Sequence, residues 1–253
     1  MFMNPQDNTS RRSFFKKITI TGAVSAIAPQ VWAGKGSGRK ISLESGNTIL
    51  FQGDSITDGS RKKDVAEANN TAALGTGYAF LAGADLLEQH AAKQLRIFNR
   101  GISGNKVYQL AERWDADCLA LKPDVLSILI GVNDFWHMIN GKYDGTLAKY
   151  VADYETLLSR TKTALPNVKL VIGEPFAVLG VKAVTDNWFP LFNDYRSAAK
   201  NIAAKFDAVF VPYQSVFDKA QKTAPGSYWT GDGVHPSLAG AKLMAKAWLE
   251  AVK

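Results

Sequence analysis

The sequence predicts an α/β fold, a parallel sheet of about five strands with helices on both faces. Three observations carry this. Short apolar runs alternate with longer segments of helical period along most of the chain. One run, Val125 to Ile130, is apolar at almost every position, as a strand buried on both faces must be. The ends of the apolar runs carry glycine and small polar residues, and parallel sheets gather their working groups at the carboxyl ends of strands.

Thr48 to Phe51 reads as the first strand, closing at Gly53. Tyr78 to Ala92 has helical spacing, and Leu95 to Asn99 is the second strand. Tyr108 to Leu121 is helical and leads to the third strand, Val125 to Ile130. Leu147 to Ala164 is a helix, Val168 to Ile172 the fourth strand, Phe192 to Lys205 a helix and Ala208 to Val211 the fifth strand. Ser237 to Val252 closes the chain as a helix. No internal repeat and no second domain interrupts residues 47–253.

Residues 1–33 have the order of an export signal. Ser10-Arg11-Arg12-Ser13-Phe14-Phe15-Lys16 resembles a twin-arginine motif, Ile18 to Pro29 is apolar, and Ala33 offers a small residue for cleavage. This predicts a periplasmic or extracellular protein. The apolar stretch is 12 residues long, whereas crossing a bilayer takes about 20, so no stable membrane insertion is expected. Residues 34–46 are rich in Gly, Ser, Lys and Arg and read as a flexible lead-in.

Of the 253 residues, 46% are hydrophobic and 21% charged, ordinary values for a globular domain. The net charge is +7, but Arg11, Arg12, Lys16 and Lys17 against Asp7 supply +3 of it. The rest is spread without a long basic run, so no nucleic-acid partner is expected. Cys118 is the single cysteine, which excludes an intrachain disulfide, and its helical apolar setting reads as a small buried hydrophobe.

Four polar groups stand at the strand ends and before the last helix. They are Gly53-Asp54-Ser55, Asn99 to Asn105, Gly131-Val132-Asn133-Asp134 and Asp232-Gly233-Val234-His235-Pro236. A hydrolytic serine needs a base of near-neutral pKa, which histidine supplies. Of the three histidines, His90 reads as surface and His137 as pocket-lining. His235 follows Asp232 by three residues, a spacing that lets the carboxylate reach Nδ1 and leaves Nε2 as the base. Ser55 sits where a strand turns into a helix, and the N–H groups of such a turn favour a developing anion. The same serine would also serve as a simple helix cap. Further oxyanion donors are available in the Ser55 N–H, the Gly104 N–H and the Asn133 side chain, with Gly101 as the alternative glycine. No Gly-x-Ser-x-Gly elbow, dinucleotide fingerprint, phosphate loop or histidine pair of zinc spacing occurs.

Taken together, these four segments resemble the GDSL, or SGNH, hydrolase family. Its hallmark Ser, Gly, Asn and His match, in chain order, Ser55 in Gly-Asp-Ser-Ile-Thr, Gly104 in Gly-Ile-Ser-Gly-Asn, Asn133 in Gly-Val-Asn-Asp and His235 in Asp-Gly-Val-His-Pro. Asp232 matches the third triad member, and the resemblance spans about residues 47–253. It implies a flavodoxin-like three-layer sandwich and ester hydrolysis by a Ser55–His235–Asp232 triad, with no metal or cofactor. Ser55, Gly104 and Asn133 would form the oxyanion hole.

Aromatic residues flank the blocks, and Trp136, Phe176 and Trp229 are the substrate-binding candidates. Export, together with the passages around Gly-Val-Asn-Asp-Phe-Trp-His and Gly-Glu-Pro-Phe, resembles family members that act as carbohydrate or acetyl esterases. The substrate expected is therefore a short acyl ester on an extracellular carbohydrate. The alternatives are a lysophospholipase or thioesterase acting on longer chains, and a non-catalytic carbohydrate-binding relative.

Overall fold

Five parallel strands form one sheet in the order β2-β1-β3-β4-β5. They are β1 Thr48–Gly53, β2 Arg96–Asn99, β3 Val125–Leu129, β4 Lys169–Gly173 and β5 Val209–Val211. The computed structural model describes residues 40–253, all within one compact unit. Every residue of β1 and β3 is buried, the pattern of strands covered on both faces. β1 pairs with β2 on one side and β3 on the other, so the strand order reverses beside it. In parallel sheets a crevice opens at such a reversal, outside the carboxyl ends of the strands. Here those ends are Gly53 and Leu129, which lie in register.

The helices are α1 Ser55–Asp58, α2 Thr71–Leu74, α3 Tyr78–Gln89, α4 Val107–Glu112, α5 Trp114–Asp117, α6 Val132–Ile139, α7 Leu147–Ala164, α8 Phe192–Lys205, α9 Tyr213–Ala220, α10 Gly226–Trp229 and α11 Leu238–Val252. α3, α9 and α11 pack together, and α4, α7 and α8 form a second group. The α11 face is tied to the sheet through Trp248, whose ring lies 5.0 Å from Phe51 and whose Nε1–H donates to Ser127 Oγ at 2.9 Å. Ser127 is the polar residue of the β3 run, and this bond satisfies its hydroxyl in the core. Among the second group, Trp114 Nε1–H donates to Thr161 Oγ1 at 2.9 Å and joins α5 to α7. No helix of the described residues is long and apolar enough to cross a membrane.

The spans read from the sequence hold closely for α7, α8 and the strands. The helix expected over Tyr108–Leu121 is broken. α4 ends at Arg113, which has φ −110° and ψ 8°, and α5 and a 3₁₀ turn at Leu119–Leu121 follow. Cys118 is fully buried. The expected export signal lies outside the described residues. The end of the expected flexible lead-in is instead docked. Ile41 N–H donates to Val252 O at 2.9 Å, Lys93 Nζ donates to Leu43 O and Lys169 Nζ to Ser42 O, both at 2.6 Å.

Candidate active site

The Ser55 turn begins with a close approach of two strands. A Cβ on Gly53 would stand 2.3 Å from Leu129 O, so only glycine lets β1 end against β3 there. Asp54 then caps α1, its Oδ1 accepting from Ile56 N–H at 3.0 Å. The capping role that Ser55 could have filled is therefore taken by its neighbour, and Ser55 opens the helix with its hydroxyl half-exposed.

Ser55 Oγ lies 2.7 Å from His235 Nε2, and His235 Nδ1 lies 2.7 Å from Asp232 Oδ2. The residues that bracket 180 positions of chain thus form one hydrogen-bonded line. The loop that carries it is fixed locally. Asp232 Oδ1 accepts from His235 N–H at 2.7 Å and Val234 N–H at 2.9 Å. Thr230 bridges Pro236, and Ser237 Oγ caps α11 through Gly240 N–H at 3.2 Å. Partial burial works to raise the Asp232 pKa, but the bonds from the His235 and Val234 backbone and the His235 ring outweigh it and hold the carboxyl below its ordinary value. An ionised Asp232 favours the tautomer with the proton on Nδ1 and the Nε2 lone pair toward Ser55.

Gly104 has φ +80°, in the left-handed region where glycine is favoured. A Cβ on it would meet nothing within 4 Å, so the glycine answers the backbone turn and not a lack of room. Gly101, the alternative, already donates its N–H to Asn99 Oδ1 at 2.9 Å. The Ser55 and Gly104 N–H groups have no acceptor among the described residues. Asn133 is buried at the start of α6 and donates from Nδ2 to Asn105 O at 3.2 Å, which ties it to the Gly104 loop. His137 is half-buried on α6 and His90 half-buried at the end of α3.

A cleft of about 460 Å³ opens beside Ser55 and His235. Gly59, Ser60, Thr76 and Ser103 line it with small polar groups, and Leu238, 77% exposed, stands on its rim. Of the aromatic candidates, Phe176 is corrected. It is fully buried and stacked on Phe217 at 4.3 Å, so it belongs to the core. Trp136 is half-buried, 5.7 Å from Trp188, and Trp229 is half-buried with its indole N–H on Ala224 O. Neither lines this cleft. The sequence reading missed Ser60, Thr76 and Leu238, which carry no motif and reach the cleft only through the fold.

Two buried carboxyls flank the site. Burial raises the pKa of Asp54 to about 7, against the bond from Ile56 N–H. Burial likewise raises that of Asp134 to about 7, against the bond from Val107 N–H. Both Oδ2 atoms are buried without a hydrogen-bond partner. Because each folded pKa lies above the unfolded value of about 3.9, the folded state binds more protons between those values. Their contribution to stability is therefore present in acid and lost as pH rises from about 4 to about 7. Asp54→Asn keeps an acceptor for Ile56 N–H and removes the titration. The variant is expected to gain on the wild type by a few kcal/mol, on the order of 1.4 per pKa unit, between pH 4 and pH 8 in urea unfolding. Parallel pH curves for the two proteins would contradict this account.

Residues 51–243 match the model of the GDSL-like lipase/acylhydrolase family. An acetylxylan esterase of Geobacillus stearothermophilus is 35% identical over 214 residues, which is 84% of this chain and 96% of that enzyme. Among solved structures, a GDSL-like lipase candidate from Parabacteroides merdae superposes with a TM-score of 0.83 at 50% identity, covering 84% of this chain and 98% of its own. The Geobacillus acetylxylan esterase itself superposes with a TM-score of 0.75 at 33% identity, covering 84% and 96%. Structures of that esterase are described as catalytic mutants in which a serine, an aspartate or a histidine is replaced by alanine, the aspartate three residues before the histidine. With its parallel five-stranded sheet and its family match over most of the chain, this protein belongs to the GDSL-like lipase/acylhydrolase family.

Proposed function

We propose that this protein is a serine esterase that removes acetyl groups from a carbohydrate, with Ser55 as nucleophile, His235 as base and Asp232 as the group that orients it. The observation that carries the reading is the continuous Ser55–His235–Asp232 line with both contacts at 2.7 Å. The three-residue spacing of Asp232 and His235 equals that of the replaced aspartate and histidine in the Geobacillus esterase. In this mechanism Ser55 Oγ attacks the ester carbonyl as its proton passes to His235 Nε2. The oxyanion accepts hydrogen bonds from Ser55 N–H, Gly104 N–H and Asn133 Nδ2. His235 returns the proton to the departing alcohol. A water, deprotonated by His235, then releases acetate and restores the Ser55 hydroxyl.

The cleft lining favours a short acyl group on a polar alcohol. A buried CH₂ is worth about 0.8 kcal/mol, so a site for octanoyl would gain about 5 kcal/mol from six more methylenes if it had an apolar wall. Of the apolar lining, Ile56 and Ala241 are almost fully buried and Leu238 is largely exposed, so little enclosed apolar wall is offered, while the hydroxyls of Ser60, Thr76 and Ser103 suit a sugar. Release of p-nitrophenol from the acetate and octanoate esters, with acetate release from acetylated xylooligosaccharides, tests this. The acetate ester is expected to have a kcat/KM about tenfold or more above the octanoate. A preference for octanoate would favour a longer-chain lipase, and no turnover of any ester a binding protein without catalysis. Trp136 and Trp229, outside the cleft, would act only on distal parts of an extended sugar chain. The twin-arginine-like N-terminus would put the enzyme outside the cytoplasm, where such chains occur.

A further inference from the structure

We propose that Arg113 is a positioning residue for the oxyanion hole, the group that fixes the Gly104 loop against the nucleophile strand. The inference rests on the esterase reading above. Gly104 sits at φ +80°, a Cβ there would meet nothing within 4 Å, and no hydrogen bond to its N–H or carbonyl occurs among the described residues. Its orientation has to come from the residues on either side. Arg113 grips both ends of that segment. Its Nε donates to Asn105 Oδ1 at 2.9 Å, and one terminal nitrogen donates to Arg100 O at 2.7 Å. The other terminal nitrogen reaches Gly53 O at 3.4 Å, the carbonyl two residues before Ser55. One guanidinium therefore links the start of the loop, its end and the strand that delivers the nucleophile.

The loop is built to be held from outside. Ser103 N–H and Oγ both donate to Asp58 Oδ2, at 3.0 and 3.2 Å, and Arg61 Nε donates to Gly101 O at 2.8 Å. Ile102 N–H donates to Gly53 O at 3.1 Å. Asn105 is pinned twice, by Arg113 on its side chain and by Asn133 Nδ2 on its carbonyl. Asn105 thus couples Arg113 to a second proposed donor of the hole. The break in the helix at Arg113 has its explanation here. Leaving helical dihedrals at that residue accompanies a guanidinium turned toward the loop, while Asp117 Oδ2, at 2.8 Å, balances its charge. The planar fork of arginine makes these bonds in one geometry. Lysine, a point charge on a flexible stem, cannot reach Asn105, Arg100 O and Asp117 together.

The test uses p-nitrophenyl acetate with the full chain and the variants Arg113→Lys, Asn105→Ala and the double variant, each with its melting temperature. Losing one oxyanion donor outright costs about 10²- to 10³-fold in kcat. Misplacing one is expected to cost about 10- to 100-fold here, with KM within about threefold, because ground-state binding does not use the hole. Because Asn105 is one of the groups through which Arg113 holds the loop, the double variant is expected to lose less than the product of the two single losses. A folded Arg113→Lys protein with wild-type kcat would overturn the inference, as would losses that multiply in the double variant. Should Arg113→Lys fail to fold, Asn105→Ala decides, since Asn105 is the contact Arg113 makes next to Gly104 and full kcat there overturns the inference. Wild type and Ser55→Ala run alongside. Equal turnover in that pair overturns the esterase reading and this inference with it, whereas an inactive Ser55→Ala beside an unaffected Arg113→Lys overturns this inference alone.

Discussion

Ser55→Ala is expected to lower kcat/KM for p-nitrophenyl acetate by about 10⁴-fold or more while the protein stays folded. The two halves of that expectation have separate causes. The fold is not expected to depend on the Ser55 hydroxyl, because Asp54 caps α1 and, among the described residues, Oγ is bonded only to His235 Nε2 at 2.7 Å. Alanine fits the first turn of a helix without strain, so the melting temperature should move little. The proposed chemistry would lose its nucleophile, because among the described residues no other hydroxyl or thiol is hydrogen-bonded to His235 Nε2. What activity survives would come from the oxyanion donors and substrate binding acting on water. Spectrophotometric turnover, with a melting curve as the control for folding, checks both halves. Unchanged turnover in a folded Ser55→Ala protein would remove Ser55 from the mechanism.

The parts of this molecule that were legible in the sequence are those set by local physics. β3 announces itself because a strand buried on both faces must be apolar along its length. α7 and α8 have the predicted bounds because full amphipathic periods and clear stops define them, Thr146 capping the first by a bond to Lys149 N–H. α6 and α9 were not read as helices. Each is only eight residues long and starts almost directly at the end of a strand, so its period is too short to stand out. At Arg113, where the expected helix breaks, the side chain bonds Asn105, Arg100 O and Asp117, and the contacts to Asn105 and Arg100 leave no mark in a helical period.

The site divides the same way. Ser55, Asp232 and His235, which the structure brings into one hydrogen-bonded line, stand out in the sequence because triad chemistry restricts their residue types and the blocks stand in order along the chain. Phe176 was misassigned because an aromatic residue three positions beyond β4 reads the same whether it turns outward or, as here, inward onto Phe217 and Tyr213. Ser60 and Thr76 lie in segments that look like ordinary loop. They meet at the cleft through Thr76 N–H, which donates to Gly59 O at 2.7 Å, a contact with no signature in either segment alone.

Asp232→Asn separates orientation from nucleophilicity, and it is expected to lower kcat by about 10³- to 10⁴-fold with KM little changed. Asparagine is nearly isosteric, and its carbonyl oxygen can still accept from His235 N–H and Val234 N–H, so the Gly231–Pro236 loop should persist. The change falls on the second oxygen, which lies 2.7 Å from His235 Nδ1. An amide NH₂ there donates to the ring where the carboxylate accepted from it. The imidazole must then carry its proton on Nε2, facing Ser55 Oγ, and it can no longer take the serine proton. Raising the pH does not repair this, because the neutral ring is already present and in the wrong tautomer. In the wild type, the Asp232 pKa is held below the usual carboxylate range. The stability it contributes is therefore present above the unfolded pKa of about 3.9 and is lost only as pH falls through the lower folded value. The carboxylate thus stays charged wherever a neutral histidine is available as base. A pH series of kcat for both proteins decides the point. The variant is expected to stay depressed by a near-constant factor from pH 7 to pH 9, and a recovery of activity across that range would show that Asp232 does not set the His235 tautomer.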